Sequence, residues 1–376
     1  MKFLLFIFPI LFICSSCSSG KGKFLLGLNN TIKPSEKEYY NIKKTGVINC
    51  FEEGKKTKFV KNNKETETIA SCELSAVVFN NNNLFFANDK SIYDNNISPM
   101  FSIPFINNDF KDINDITYYK NPKFLSTKKF EDLTATLDNK YIFATTSFDR
   151  DDSNYEYNSI LYWQPEYPNK VEFLSVIENE KETRDIKKYL QRELNSSKYF
   201  KVEGLAIIPD NKILFGIREE GESYKNFQYS FKIILASLIY KDSKYFLNND
   251  FKLIYNFKNT NKYIQENVGI FALSWNKYNN KLFILSSFEQ ENTIGAYLWT
   301  LDLDKFYKNK DPSLVYENNL IPLKLNNKAE GITILNNNEL FIINDDDRFI
   351  KQTKINGADY LKKPNESIYN ILRKSD

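Results

Sequence analysis

The sequence contains no histidine at any of its 376 positions. This absence excludes Ser-His-Asp and Cys-His catalytic groups, a histidine general base, and zinc sites built on imidazole. Catalysis by this chain would have to use carboxylates, Lys, Tyr, Ser, or a metal ion held by oxygen atoms. The range of chemistry open to the protein is therefore narrow.

Cysteine and glycine are also scarce, with 4 and 12 residues. Cys14 and Cys17 lie near the N-terminus, which leaves Cys50 and Cys72 in the body of the chain. An exported compartment would permit a disulfide between these two, and a pair of buried free thiols is the alternative. The 51 basic and 48 acidic residues are interspersed, so nothing favours a nucleic-acid partner.

The N-terminus is typical of an exported protein. Lys2 precedes an apolar run over residues 3–13, which is shorter than the ~20 residues that cross a bilayer as a helix. Ser15 and Ser16 before Cys17 resemble the lipobox of bacterial lipoproteins, although Cys14 stands where that pattern usually has Leu. We expect residues 1–16 to be a signal peptide, Cys17 to carry acyl chains, and residues 17–40 to form a flexible tether.

This interpretation predicts a protein of the cell envelope, anchored by lipid to a membrane and facing the periplasm or the surface. A plain secretory signal with incidental cysteines is the alternative. No later apolar run reaches spanning length, which disfavours a transmembrane role.

A hairpin unit recurs from residue 73 onward, with starts at 73, 131, 203, about 268 and 330. The unit consists of an acidic residue, which the fourth copy lacks, then an apolar strand, an Asn/Asp turn, a second apolar strand and an acidic cluster. A repeat of roughly 60 to 70 residues with further strands is typical of a propeller blade. We predict an all-β domain over residues 41–376, a β-propeller of five or six blades. Two β-sandwich domains are the alternative.

Two further segments have patterns that predict a closing strand and an inserted helix. The strand-like sequence of residues 46–60 would close the ring against the last blade. Residues 180–195 are highly charged and carry Ile186, Leu190 and Leu194 as one stripe of an amphipathic helix. We expect one inserted surface helix there, with a lid over one face as the alternative.

Hairpin geometry predicts that the acidic residues meet in pairs, because residues equidistant from a turn lie opposite each other. The expected pairs are Glu73 with Asp89, Glu131 with Asp149, Glu203 with Glu219, and Glu330 with Asp345 or Asp346. Like charges repel unless a cation lies between them or one carboxyl group stays protonated. Arg150 and Arg218 lie beside two of these pairs.

In a propeller these hairpin ends converge on one mouth of the central channel. Clustered carboxylates without histidine or cysteine suit a hard cation, Ca²⁺ before Mg²⁺. The expected ligands are Glu73, Glu131, Asp149, Glu203, Glu219, Glu330, Asp345 and Asp346. The alternative is that the acids solvate strand ends or tie neighbouring blades together.

Several short motifs resemble the bacterial phytase-like family, whose members are also described as having esterase-like activity of phytase. The motifs are residues 203–206, 209–211 and 218–221, and residues 329–332 with 344–346. The resemblance covers roughly residues 70–350. It implies an exported β-propeller and metal-assisted hydrolysis of phosphate or carboxylic esters. The fourth hairpin lacks the leading glutamate and departs from the pattern.

Two functional hypotheses follow. In the first, a hydrolase uses Glu203 and Glu330, together with Glu131, as ligands or general base, and Arg218 holds an anionic ester. In the second, the propeller is a non-catalytic binding or scaffold protein of the envelope, and the acids are structural. The sequence leaves the choice open.

Overall fold

The computed structural model describes residues 37–61, 64–90, 97–290, 293–345 and 352–375. The expected signal peptide, the lipidation site at Cys17 and the tether up to residue 36 lie outside these residues. The described chain begins with strands β1 (Glu38–Asn49), β2 (Lys56–Lys61) and β3 (Lys64–Ile69). β2 and β3 form a separate hairpin.

The strands that follow β3 build the blades in chain order. The first blade has β4 (Leu74–Asn80), β5 (Asn83–Asn88) and β6 (Met100–Ile106), with β7 (Asp109–Phe110) and β8 (Thr117–Tyr118) on its edge. Helix α1 (Pro122–Ser126) leads to the second blade, which has β9 (Phe130–Ala135), β10 (Ile142–Thr146), β11 (Ile160–Trp163) and β12 (Glu172–Phe173).

The third blade is the most extended. It is preceded by β13 (Ser175–Glu178), β14 (Lys181–Thr183) and α2 (Ile186–Glu193), and it contains β15 (Tyr199–Ile208), β16 (Lys212–Ser223), β17 (Asn226–Lys241), β18 (Lys244–Asn248) and β19 (Lys252–Asn256). A single 3-10 turn at Thr260–Lys262 leads out of it.

The fourth and fifth blades share one continuous sheet. The fourth has β20 (Gly269–Asn276), β21 (Lys281–Gln290), β22 (Thr293–Asp302), helix α3 (Leu303–Tyr307), β23 (Ser313–Tyr316) and β24 (Lys324–Leu325). The fifth has β25 (Ala329–Asn336), β26 (Glu339–Asn344), the hairpin β27 (Gln352–Ile355) and β28 (Ala358–Leu361), and β29 (Glu366–Lys374).

The blades close into a ring, so the prediction of an all-β propeller is confirmed, with five blades among the described residues. The innermost strands β4, β9, β15, β20 and β25 contact one another in that order, and β25 contacts β4. β1 pairs antiparallel with β29 and supplies the outermost strand of the fifth blade. The closing strand thus lies at Glu38–Asn49 rather than at residues 46–60, most of which lead into the β2–β3 hairpin.

Apolar side chains fill the interfaces between adjacent blades. Five clusters of buried residues lie between blades one and two, two and three, three and four, four and five, and five and one. Trp163 and Trp299 are fully buried in two of them. Because each sheet is covered on both faces, its strands read as continuous apolar runs rather than as alternating ones.

The inserted helix is α2, shorter than the pattern predicted because residues 181–183 form β14. Its stripe of Ile186, Leu190 and Leu194 is at most 3% exposed and packs into the core between blades two and three. The helix therefore belongs to the side of the propeller. Among the described residues, no helix has the length and apolar character needed to cross a membrane.

Cys50 and Cys72 form a disulfide, with Cα atoms 5.9 Å apart. The bond joins the end of β1 to the start of the first blade and encloses the β2–β3 hairpin. It therefore ties the closing strand of the fifth blade to the first blade.

Candidate functional site

Each innermost strand carries a β-bulge near one end of the channel. In the third blade, Val202 pairs with Ile217 and Gly204 with Gly216, which leaves Glu203 as the extra residue. A bulge re-aims the extra side chain. The extra residues of the five blades are Ser75, Glu131, Glu203, Phe271 and Glu330.

The position two residues earlier forms a second set around the channel. Its members are Glu73, Lys129, Lys201, Gly269 and Lys328. Glu73 is thus equivalent to the lysines, because the bulge of the first blade falls at Ser75. The sequence-based alignment of Glu73 with the other three glutamates was wrong by two residues. The recurring Lys-x-Glu pattern at 129–131, 201–203 and 328–330 was the signal that sequence reasoning missed.

Lysine and arginine neutralise the channel glutamates. Lys201 contacts Glu203 and lies 3.1 Å from Oε1 of Glu131 in the neighbouring blade. Arg218 Nη1 donates to Glu203 Oε1 at 2.7 Å, and Lys328 Nζ lies 2.7 Å from Glu330. Each glutamate at a bulge therefore has an internal cation as its partner.

The fourth blade places an aromatic ring where the others place a carboxylate or a hydroxyl. The guanidinium of Arg218 lies 4.1 Å from the ring centroid of Phe271, a favourable cation–π distance. Arg218 Nε also lies 2.8 Å from Glu219. In the fourth hairpin Phe271 thus takes the place of the acid, and Arg218 packs against its ring.

One predicted acidic pair is present in the structure. In two others, the second acid lies opposite a different residue. The N–H of Asp89 donates to the carbonyl oxygen of Glu73 at 2.8 Å, so these residues lie opposite each other. Glu219 lies opposite Lys201 instead of Glu203.

Asp345 donates its N–H to the carbonyl oxygen of Lys328 rather than lying opposite Glu330. In the third blade the hairpin is centred at residue 210, and the bulges at Glu203 and Arg218 offset each other before Glu219. In the fifth blade two register shifts along β25 move Asp345 opposite Lys328. Asp346 lies outside the described residues.

The predicted pairing of Glu131 with Asp149 is replaced by contacts to cations. Asp149 follows β10 and accepts hydrogen bonds from Arg150 at 2.8 Å and from Ser147 at 2.9 Å. Lys129 Nζ lies 3.5 Å from Glu131. Each of the two acids therefore contacts a basic group.

These contacts drive the carboxyl pKa values apart. Burial raises the pKa of Glu131 well above its usual range, and the charge of Glu203 raises it further, against the opposing effect of Lys201. Burial also acts to raise the pKa of Glu203, but Lys201 and Arg218 lower it to about 2. Glu203 is therefore held as an anion, whereas the pKa of Glu131 is shifted in the opposite direction.

The described carboxylates do not fit a calcium ion. No group of three or more Asp, Glu, Cys or His side chains in that part of the chain is arranged to hold a metal ion. Ca²⁺ requires six to eight oxygen ligands, whereas Oε1 of each of Glu131, Glu203 and Glu330 faces an ammonium or guanidinium group. No chemical step is therefore assigned to a metal.

Above these ion pairs lies a cavity of about 700 Å³, which we call the channel-mouth cavity. Aromatic rings including Tyr199 and Tyr229 form one wall. The charged residues of the lining are four cations and three carboxylates: Lys129, Arg150, Lys201 and Arg218, with Asp149, Glu219 and Glu289. Tyr199 donates to Glu219 Oε2 at 2.7 Å, which fixes that ring against the site. The cavity thus combines positive charge with an aromatic wall.

Asp132 is a second residue that sequence reasoning missed. It is fully buried, and its Oδ2 accepts backbone N–H groups from Leu205 at 2.7 Å and from Leu273 at 3.1 Å. A single carboxylate from the second blade thereby joins the innermost strands of the third and fourth. The signal was a second acid directly after Glu131, inside an apolar strand.

No family model matches this chain, and no curated protein matches it. Among solved structures, the PQQ-bound aldose sugar dehydrogenase from Streptomyces coelicolor is 10% identical, with 88% of this chain and 99% of that chain covered and a TM-score of 0.39. A putative glycoside hydrolase from Parabacteroides distasonis is 9% identical over 85% and 92%, with a TM-score of 0.40.

Hydrazine synthase from Kuenenia stuttgartiensis is 7% identical, with a TM-score of 0.33. That match covers 81% of this chain, which spans only 62% of the hydrazine synthase chain. Similarity at this level carries no argument about activity. The function has to be inferred from the site itself.

Proposed function

We propose that this protein is a lipid-anchored binding protein of the cell envelope, whose channel-mouth cavity holds an anionic group of its ligand. The cations at the base of the cavity carry this proposal. The side chain of Lys129 is 26% exposed and those of Lys201 and Arg218 are 10% exposed, whereas Glu203 is completely buried behind them. The lining of the cavity has one more cation than carboxylates, because Asp149, Glu219 and Glu289 also line it, so its net charge is positive.

The buried carboxylates hold these cations in place. A lysine or arginine at the end of a flexible chain loses rotamer entropy when it binds a ligand, but Lys201 and Arg218 are already fixed by Glu203. Such pre-organisation lowers the cost of binding an anion. The aromatic wall adds apolar contact area next to the charged base, as in many ligand-binding cavities.

Membrane attachment through acyl chains on Cys17 completes this proposal. It rests on the sequence of residues 1–17 alone and would be tested by metabolic labelling with a palmitate analogue and by a Cys17→Ser variant. Calcium remains a prediction of the sequence that the described carboxylates do not favour. Calorimetric titration of the protein with CaCl₂ tests it directly.

Hydrolysis of phosphate or carboxylic esters, as the phytase-like resemblance implies, is the second candidate. The opposed pKa values of Glu131 and Glu203 favour it, because such a split can define a general acid and a general base. Turnover of para-nitrophenyl phosphate or acetate, lost in Glu203→Gln, would support this candidate. No turnover by the wild-type protein, with and without Ca²⁺, would exclude it for these ester classes.

The binding proposal is tested by titrating wild-type protein with inorganic phosphate and citrate. Lys129→Met should weaken binding at least fivefold, because it removes a charge that lines the cavity. Lys328→Met is the matched control, since Lys328 is also paired with a channel glutamate but belongs to the fifth blade. Equal binding by wild type and Lys129→Met would contradict the proposal.

A further inference from the structure

The third blade presents an unpaired strand edge beside the channel mouth. β16 pairs with β17 along one side from Ser223↔Asn226 to Lys212↔Ser237. On the other side, β19 pairs with β17 only from Lys232 to Leu235. Within the described ranges, no strand pairs with the outer side of residues 226–230.

A groove of about 780 Å³ lies along this edge. Its lining includes every residue of β17 from Phe227 to Lys232. Because successive side chains of a strand point to opposite faces, a groove that contacts all of them follows the backbone edge. The opposite wall includes Asn256, Phe257 and Lys258.

The groove adjoins the channel-mouth cavity. Phe227, Tyr229 and Gln290 line both. The ring of Tyr229 lies 6.0 Å from the guanidinium of Arg218, and that of Phe227 lies 6.2 Å from the ring of Tyr199. A ligand in the groove therefore has direct access to the cations of the cavity.

The hairpin that carries this edge is closely packed. A Cβ atom at Gly221 would lie 2.3 Å from the carbonyl oxygen of Asn226, so glycine permits the close approach of the two strands. Glu220 accepts from Ser230 and Lys232 at 2.8 Å and fixes β17 against β16. The free edge is thus held in an extended conformation before any ligand binds.

We propose that this edge binds an extended, acidic peptide segment of a protein partner by strand addition. The backbone N–H and C=O groups that point to the outer side of residues 226–230 pair with the peptide, since unpaired edges template such addition. Five residues span ~17 Å at 3.4 Å per residue. This pairing does not depend on the proposed function.

The acidic character of the peptide rests on the proposed function. Every second side chain of an added strand points the same way as Phe227 and Tyr229, whose rings line the channel-mouth cavity. An Asp or Glu at such a position reaches the channel-mouth cavity, whose lining has a net positive charge. An acidic peptide can thus pair with the backbone of the edge and also bind the cations of the cavity, whereas a free anion can bind only the cations.

The experiment selects binders from a phage library of random seven-residue peptides on the immobilised, lipidated protein. The best peptide is synthesised, and its affinity is measured by fluorescence anisotropy. Each backbone amide is then N-methylated in turn. Strand addition predicts that methylation at alternate residues weakens binding more than tenfold and that methylation at the residues between them changes it less than twofold.

Selected peptides should also be enriched in Asp and Glu, and Lys129→Met should weaken their binding at least fivefold, with Lys328→Met as the control. If methylation weakens binding at alternate residues but the selected peptides are not enriched in Asp and Glu, strand addition is supported and anion binding by the cavity is contradicted. Acidic preference without alternation overturns strand addition and leaves anion binding standing. Failure to enrich any peptide overturns the proposal. A dimer of this chain that the Gln228→Pro substitution abolishes also overturns it, because the edge would then pair with a second copy of the chain.

Discussion

Lys201 of the third blade lies 3.1 Å from Oε1 of Glu131 in the second blade. The same ammonium group contacts Glu203, so one lysine serves carboxylates from two adjacent blades. Because Lys201 also lines the channel-mouth cavity, this ion pair links the stability of the ring to the charge of the binding site.

Removal of Lys201 should destabilise the protein strongly. Lys201→Met leaves Glu131 and Glu203 buried without this cation, and breaking a buried pair costs about 3 to 5 kcal/mol. Urea unfolding measures the loss. The double variant Lys201→Met/Glu131→Gln should lose less than the sum of the single changes, because it removes one of the uncompensated carboxylates. Additive losses would contradict the pairing.

An exposed ion pair provides the control for this experiment. Lys198 and Glu222 pair at 2.6 Å on the surface of the same blade, with side chains 75% and 62% exposed. Lys198→Met should leave the urea midpoint unchanged, because exposed pairs contribute little.

Asp149 should stabilise the fold in a manner that depends on pH. Burial acts to raise its pKa, but Arg150 and Lys129 lower it from 3.8 to about 2. A carboxyl pKa that is lower in the folded state contributes stability above the unfolded value, and this contribution is lost as pH falls through the folded value. At pH 7, Asp149→Asn should lower the free energy of unfolding by about 1 to 2 kcal/mol, with allowance for partial solvent screening.

The difference between wild type and Asp149→Asn should shrink between pH 4 and pH 2. Chemical unfolding of both proteins at several pH values checks this. A difference that stays constant down to pH 2 would show that Asp149 acts through packing rather than charge.

Asp132 should be essential for the packing of the innermost strands. Asp132→Ala leaves the N–H groups of Leu205 and Leu273 buried without their acceptor, and each unsatisfied group costs about 1 to 3 kcal/mol. We expect a loss of about 2 to 5 kcal/mol in the free energy of unfolding. Asp132→Asn retains one oxygen acceptor and should lose clearly less. Equal losses in the two variants would exclude the hydrogen bonds as the cause.

The disulfide should stabilise the closure of the ring. It encloses a chain separation of 22 residues, for which the chain-entropy treatment gives about 3 kcal/mol. Cys50→Ala/Cys72→Ala should lower the thermal midpoint, and addition of a reductant should lower that of the wild type alone. A reductant effect of equal size on both proteins would contradict this prediction.

The fold could be predicted from the sequence because its repeat is regular. Buried hairpins with Asn turns recur from Glu73 to Glu330, and Asn81 and Asn82 indeed adopt φ values of 46° and 61° at a turn. The sequence pattern placed the closing strand at residues 46–60, too far along the chain, because β1 (Glu38–Asn49) is long and partly polar. Its position depends on pairing with β29, more than 300 residues away, which no local pattern reveals.

The candidate site could be predicted only in outline. The pattern located the carboxylates at the channel mouth. Counting from the turns misplaced the centre of the third hairpin by one residue and ignored the two register shifts of the fifth. The neutralising lysines are hidden because Lys129 and Lys201 look like ordinary solvated charges at strand starts. Burial alone shows that they face inward.

The most direct test is a crystallographic measurement of which ion the channel mouth binds. Crystals are soaked separately in selenate and in a lanthanide that substitutes for calcium, and anomalous density is recorded. We expect a selenate peak in contact with Lys129, Lys201 and Arg218, and no lanthanide peak among the bulge glutamates. A lanthanide bound by Glu131, Glu203 and Glu330, with no selenate at the lysines, would contradict this expectation.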